Sequence, residues 1–311
     1  MSVPSEFAEI AAKVRNWGRW GDDDERGTLN LIDDEARRAA VACGRNGRTF
    51  SLALPLSADG PQTGAVVGRT NPELRRTSVN EFIDADRGPA KASDDAVSMP
   101  LQAATHWDAL AHVSYDGVIW NGVPATSVSE EGGASRCGID KVGVLMGRGV
   151  LLDVARALGA ERVEGGRALT ADDLDAAAEL GQVKVQPGDI VLIRTGQMQH
   201  LLGPDPDRWA YLFPTAGPSL ATVTWFRDHD VAAVATDNMT FEVYPWEHDE
   251  LAMPVHLLHM VDMGMMQGQN WNLEELAAAC ADDGQYTFVL EATPEPFVGG
   301  LGSPVAPVAV K

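Results

Sequence analysis

Residues Gln102-Ala103-Ala104-Thr105-His106-Trp107-Asp108-Ala109-Leu110-Ala111-His112 carry the reading of this chain, because His106, Asp108 and His112 are three potential metal ligands within one short stretch. Neutral imidazole and carboxylate together suit a divalent ion such as zinc or manganese. On an extended segment, positions 106, 108 and 112 share a parity and point to one side. Such a stretch supplies much of a metal site. A lone His-x-Asp is more often a pair of ordinary polar residues beside a loop, so the third residue is what moves the reading toward a site.

The stretch resembles the H-x-G-T-H-x-D-x-P-x-H signature of the cyclase family, metal-dependent hydrolases that include bacterial kynurenine formamidase and isatin hydrolase. Thr105, His106, Asp108 and His112 match it, whereas Gln102 stands for the first His, Ala104 for Gly and Leu110 for Pro. A Gln amide oxygen is a weaker zinc ligand than imidazole and better suited to harder ions, so the first change leaves zinc and manganese both open. Two further segments are similar to the longer bacterial members. One is Asn16-Trp17-Gly18-Arg19-Trp20-Gly21-Asp22-Asp23-Asp24-Glu25-Arg26-Gly27-Thr28-Leu29-Asn30. The other is Pro254-Val255-His256-Leu257-Leu258 with Gly264-Met265-Met266-Gln267-Gly268-Gln269-Asn270-Trp271-Asn272-Leu273. In the late block the family completes its site with a His and a Glu; His256 matches the His, and Gln269 stands where the Glu is expected. The resemblance thus implies a ligand set drawn from Gln102, His106, Asp108, His112, His256 and Gln269.

A chain of 311 residues can bury a substantial core, and it reads as one domain over 1–311 with an N-terminal extension of about 1–48. The formal net charge of -21, without a basic stripe, argues against a nucleic-acid partner. Cys43, Cys137 and Cys280 are too scattered for a disulfide framework or a Cys-based metal site. The opening Met1-Ser2-Val3-Pro4-Ser5-Glu6 has no apolar signal core, and no apolar run approaches a membrane span. A cytoplasmic protein acting on a small molecule, with no membrane partner, is the expectation. The resemblance adds a homodimer or larger assembly.

Strand and helix patterns alternate along the chain. Thr49 to Leu56 alternates like a strand ended by proline, and Gly143 to Val154 reads as a strand pair or one long bent strand. Thr170 with Asp173 opens a helix that Gly181 closes. Asp189 to Gly196 is apolar on both faces and therefore predicted as a central strand. Ser219 to Asp228 and Leu273 to Ala281 read as helices, Val231 to Thr236 and Tyr286 to Glu291 as strands. These give an α/β or α+β domain, and the resemblance refines it to an α/β fold of the swivelling β/β/α cyclase type. Pro61 to Pro100, rich in Gly, Pro, Asn, Asp and Ser, shows little regular pattern and is expected as a long loop, either a wall over the site or a surface excursion.

His200, His229, His248 and His259 are assigned to surface or helix-face roles. Trp17, Trp20, Trp107, Trp120 and Phe241 are candidates for an apolar pocket around the ion; Trp is more often core, and Trp107, between two proposed ligands, is the strongest of them. An ion with an open position makes water acidic and polarises a carbonyl, and His112 or His256, whichever the ion does not hold, is the expected proton shuttle. The resemblance implies a hydrolase that opens a cyclic amide or lactone or cleaves an N-formyl amide. Two other readings stay open: a metal-free binding protein that keeps the fold, motivated by Gln102 and Gln269, and a metal-dependent lyase or dehydratase.

Overall fold

Nine strands build the main sheet: β1 Thr49–Ser51, β2 His106–Asp108, β3 Met146–Asp153, β4 Ile190–Arg194, β5 Ala233–Thr236, β6 Met266–Gln269, β7 Thr287–Glu291, β8 Gly302–Pro304 and β9 Val308–Val310. This is a computed structural model, and it describes residues 3–311. The order is β1-β9-β7-β3-β4-β5-β6-β2-β8. The central strands β3, β4, β5 and β6 run parallel, while the pairs outside them are antiparallel. Ile190 to Arg194 is buried throughout and lies between two parallel neighbours, which is why it reads as an unbroken apolar run.

Two cores cover the two faces, and strand parity sorts residues between them. Val150, Leu152, Val191, Ile193 and Val234 enter one core, while Leu151, Leu192, Ala233, Ala235 and Trp107 enter the other. Burying each such aliphatic side chain contributes about 1.5–3 kcal/mol, so a one-residue slip, which would exchange the faces, is strongly disfavoured. Helices α1 Ser5–Val14, α3 Ala171–Leu180 and α4 Leu220–Asp228 cover the first face; α2 Asp34–Val41 lies beside β3 and β7. The hydroxyl cap expected at the start of α3 is present and is completed as a capping box, with Thr170 and Asp173 satisfying each other's backbone N–H groups.

The segment expected as an N-terminal extension is tied into this body. Phe7, Ala11 and Val14 of α1 are buried in the same core as Val234. The Asn16 N–H donates to the Asp262 carbonyl at 2.9 Å, and Thr28 Oγ1 donates to the Ala232 carbonyl at 2.7 Å.

Residues 61–100 depart from the expected structureless loop. Glu73–Phe82 and Lys91–Ser98 pair as an antiparallel ribbon, exposed along nearly its whole length. Its pattern is hidden in the sequence because the register shifts between Arg76 and Ser78 and again between Ser78 and Glu81, which breaks the alternation. Only the preceding residues, around 65–69, form a wall of the site. Among the described residues, no helix is long and apolar enough to cross a membrane.

Candidate functional site

The short strand β2 lies between β6 and β8, with His106 opposite Gln269 and Asp108 opposite Gln267 and Gly302. Directly paired residues share a face, so His106, Asp108, Gln267 and Gln269 all point toward the helix-covered side. Trp107 and Gly268 point the other way. There Trp107 packs at 4.9 Å against Trp271 and donates its indole N–H to the Ala292 carbonyl. Gly268 is required by this packing, because a Cβ there would lie 2.7 Å from Trp271 Nε1 and 2.8 Å from the Ala235 Cβ.

The protonation of His106 follows from its neighbours. Nδ1 lies 2.7 Å from the Ala104 carbonyl, which can only accept, so Nδ1 carries the hydrogen and Nε2 presents a lone pair. Burial lowers the His106 pKa to about 4, against the opposing attraction of Asp108; the ring is neutral at pH 7. Asp108 is buried, which alone would raise its pKa, but His112, His106 and Arg69 outweigh that and hold it low. Its Oδ1 lies 3.6 Å from His106 Nε2 and 3.7 Å from His112 Nε2.

His112 reaches this point by a route other than the one expected. β2 ends at Asp108, so shared parity accounts for His106 and Asp108 only. The chain then turns, with the His112 N–H donating to the Ala109 carbonyl at 2.8 Å, and this turn brings the ring back four residues later. Burial lowers the His112 pKa as well, opposed by Asp108.

Three buried atoms here have no hydrogen-bond partner: His106 Nε2, Asp108 Oδ1 and Gln269 Oε1. Leaving such atoms unpaired costs about 1–3 kcal/mol each, and their convergence is the mark of a site shaped for something else. A metal shell with bonds near 2.1 Å places its donor atoms about 3.0–3.5 Å apart. The spacings around Asp108 are wider by a few tenths of an ångström, and among the described residues no group of three or more His, Cys, Asp or Glu side chains is closed around an ion position. The donor chemistry of two neutral imidazoles, a carboxylate and an amide oxygen fits a divalent ion, and the closure needed is a small side-chain movement. Gln102 lies beside this set, its Nε2 2.5 Å from where a Gly302 Cβ would stand. Since Gly302 pairs with Asp108, that position is on the same face.

His256 enters from the short helix α5 Pro254–Leu257 and is held by a residue that the sequence reading missed. One Glu242 oxygen accepts from the His256 N–H at 3.0 Å and contacts His256 Nδ1; the other accepts from the Val255 N–H at 3.1 Å. The Glu242 oxygen that accepts from the His256 N–H accepts from the ring as well, so Nδ1–H points at Glu242 and Nε2 keeps its lone pair. That Nε2 lies 3.5 Å from Gln269 Nε2. The signal available in sequence was a lone acidic residue in the otherwise uncharged run Thr240-Phe241-Glu242-Val243-Tyr244. Phe241 and Met253 both adopt left-handed backbone, at φ 59 and 57, strain of the kind found at functional sites.

Asp108, Gln269 and His256 open onto a cavity of about 380 Å³ whose walls include Arg69, Phe213, Tyr244 and Trp246. A roomier cleft of about 610 Å³ lies by Glu161, Arg162 and His200 but has none of the unpartnered atoms. The tryptophans proposed for the pocket are elsewhere. Trp107 and Trp120 are wholly buried, Trp20 packs on Trp120, and Trp17 donates to the Val261 carbonyl. Phe241 is buried edge-on to His256 at 5.7 Å, behind the ring. His259, expected on a surface or helix face, is fully buried in a π-helical turn, Leu258–Met263, with Nδ1 2.9 Å from Gln267 Nε2.

Fold and site together define a class, and comparison supplies its name. The Cyclase family model matches residues 50–243, and the chain belongs to this cyclase family. A crystal structure described as a novel cyclase is 39% identical and superposes with a TM-score of 0.89, over 97% of this chain and 99% of that one. Isatin hydrolase A from Labrenzia aggregata is 20% identical, with a TM-score of 0.63 over 91% of this chain and 98% of its own. Isatin hydrolase A from Ralstonia solanacearum is 22% identical, with a TM-score of 0.61 over 88% and 95%. These two share the fold. No curated protein matches the chain.

Proposed function

We propose that this protein is a metal-dependent hydrolase that opens a cyclic amide or lactone, or cleaves an N-formyl amide. The observation that carries the reading is the meeting of unpartnered His106 Nε2, Asp108 Oδ1 and Gln269 Oε1 at a cavity that also receives the bare Nε2 of a carboxylate-held imidazole. The names of the solved relatives, isatin hydrolases among them, support the same class. His106, Asp108, His112 and Gln269 would hold a divalent ion, zinc or manganese, with Gln102 beside them; the amide oxygen tilts the set toward manganese. When bound, such an ion polarises a carbonyl oxygen and lowers the pKa of water.

The chain's own residues then divide the work. His256 Nε2 takes a proton from the attacking water and returns it to the leaving nitrogen or oxygen. Glu242 fixes the tautomer and balances the imidazolium formed on the way. Phe213, Tyr244 and Trp246 seat an apolar body and exclude water. A metal-free binding protein would keep three buried polar atoms unpaired to no purpose, which disfavours that reading. The test is turnover on lactones, cyclic amides and N-formyl amines, before and after metal stripping by a chelator. We expect hydrolysis that is lost on stripping and restored by Mn²⁺ or Zn²⁺; turnover indifferent to stripping sinks the proposal, and a product formed without addition of water assigns the lyase reading instead.

The expected homodimer or larger assembly is also a proposal, and the exposed ribbon supports it. A two-stranded ribbon alone is marginal in water, yet this one carries Leu74, Val79, Phe82 and Val97 more than half exposed. We expect sedimentation to give a dimer or larger for the full chain and a monomer once 73–98 is replaced by a short Gly-Ser linker. A monomer at both lengths refutes it.

A further inference from the structure

The hydrolytic reading leaves one wall of the cavity without a role. Arg69 lines the same cavity as Asp108, His256 and Gln269, and its backbone is pinned by a turn in which its N–H donates to the Val66 carbonyl at 3.1 Å. Among the described residues, however, it forms no ion pair, whereas Arg15, Arg148 and Arg194 each hold a buried aspartate. A cavity of about 380 Å³ is roughly 9 Å across, the size of one small ring and its substituents. Arg69 in its wall therefore stands within reach of the ligand.

Charge bookkeeping gives the sign of that ligand. Asp108 and Glu242 together contribute two negative charges, which a divalent ion alone would balance. Arg69 adds one positive charge that no ion pair takes up among the described residues. Arg differs from Lys in presenting a planar fork matched to a carboxylate, and such paired bonds are among the strong ones.

We propose that Arg69 anchors a carboxylate of the substrate, so that the cavity selects small ring-bearing acids over their neutral counterparts. This deepens the hydrolase reading and rests on it for the bond that is cut, but the anchor itself is read by binding alone. The anion sits at the Arg69 end, and the scissile carbonyl is thereby directed toward Asp108, Gln269 and His256. The alternative role, stabilising the negative oxygen of the reacting carbonyl, makes no distinction between acid and neutral ligands.

The experiment is calorimetric titration of the purified protein with benzoate, phenylacetate and 2-aminobenzoate, each beside its primary amide, repeated on Arg69→Ala and Arg69→Lys. We expect at least one acid to bind tenfold or more tighter than its amide. Arg69→Ala should weaken that acid by roughly tenfold to a hundredfold, the range for a charge-assisted bond, and leave the amide within about threefold; Arg69→Lys should recover part of the loss. The proposal is overturned if no acid exceeds its amide, if Arg69→Ala leaves acid binding intact because another cation holds it, or if acid and amide weaken together. Turnover of N-formyl-2-aminobenzoate is measured alongside. Selective acid binding without any hydrolysis would sink the hydrolase reading and leave the anchor standing.

Discussion

The double variant His106→Ala, Asp108→Ala is expected to purify without a divalent ion and without measurable turnover. Both side chains project from one face of β2, and two of their atoms are buried without partners. Removing them deletes a neutral nitrogen and the one anion of the proposed donor set. The water-activating role of an ion spans many orders of magnitude, since water bound to a divalent ion titrates far below bulk water, so the loss should exceed ten-thousandfold. The strand should survive, because Trp107 on the opposite face keeps its packing on Trp271 and its bond to Ala292. Elemental analysis beside circular dichroism decides the matter. Full metal occupancy in a folded double variant would place the ion elsewhere.

The second large effect belongs to His256. His256→Ala should lose on the order of a hundredfold to ten-thousandfold in kcat while retaining its metal, the usual cost of removing a general base. Two observations separate it from His112, which was equally eligible on sequence. His112 Nε2 lies 3.7 Å from Asp108 Oδ1, on the ligand side, whereas the His256 ring is fixed through Nδ1 by Glu242. His112→Ala is therefore expected to weaken metal retention, and His256→Ala to spare it. The measurement is metal content and turnover on the same preparations. Near wild-type turnover in His256→Ala removes it from the chemistry; loss of metal in that variant makes it a ligand.

How much of this was legible in the chain depended on whether the signal was periodic. The central strand at 190–194 and the capped helix at 171–180 stand where the apolar run and the Thr170–Asp173 pair placed them, because burial on both faces and a reciprocal cap both write themselves into short patterns. The same parity rule that aligned His106 with Asp108 also sends Trp107 to the far face, and applying it consistently would have removed Trp107 from the pocket. His112 met the cluster through a turn, which parity cannot describe. Glu242 and Arg69 are single charged residues in irregular segments; Glu242 meets Val255 and His256 only through the fold, and Arg69 meets Asp108 and His256 only across the cavity. The ribbon at 73–98 was hidden by its register shifts and by the many polar residues along it, since its own chain buries neither side to enforce alternation.

The π-helical turn at Leu258–Met263 has a consequence for how this chain can vary in length. It connects the helix that bears His256 with the strand that bears Gln269. A π turn holds one residue more than an α turn over a similar path. Deleting one residue there would either rotate the flanking helix by about 100° or shift the strand by one, and a shifted strand presents its side chains to opposite faces. In the second case Gln269 would fall where the indole pair has room only for Gly268, and the shorter Asn270 would stand where the cavity had Gln269. Substitutions among the apolar residues Leu258, Met260, Val261 and Met263 preserve the phase between His256 and Gln269, but single-residue insertions and deletions do not. The interval between those two residues therefore works as a ruler, and gaps in related sequences should be rarest there, even where residue identity drifts.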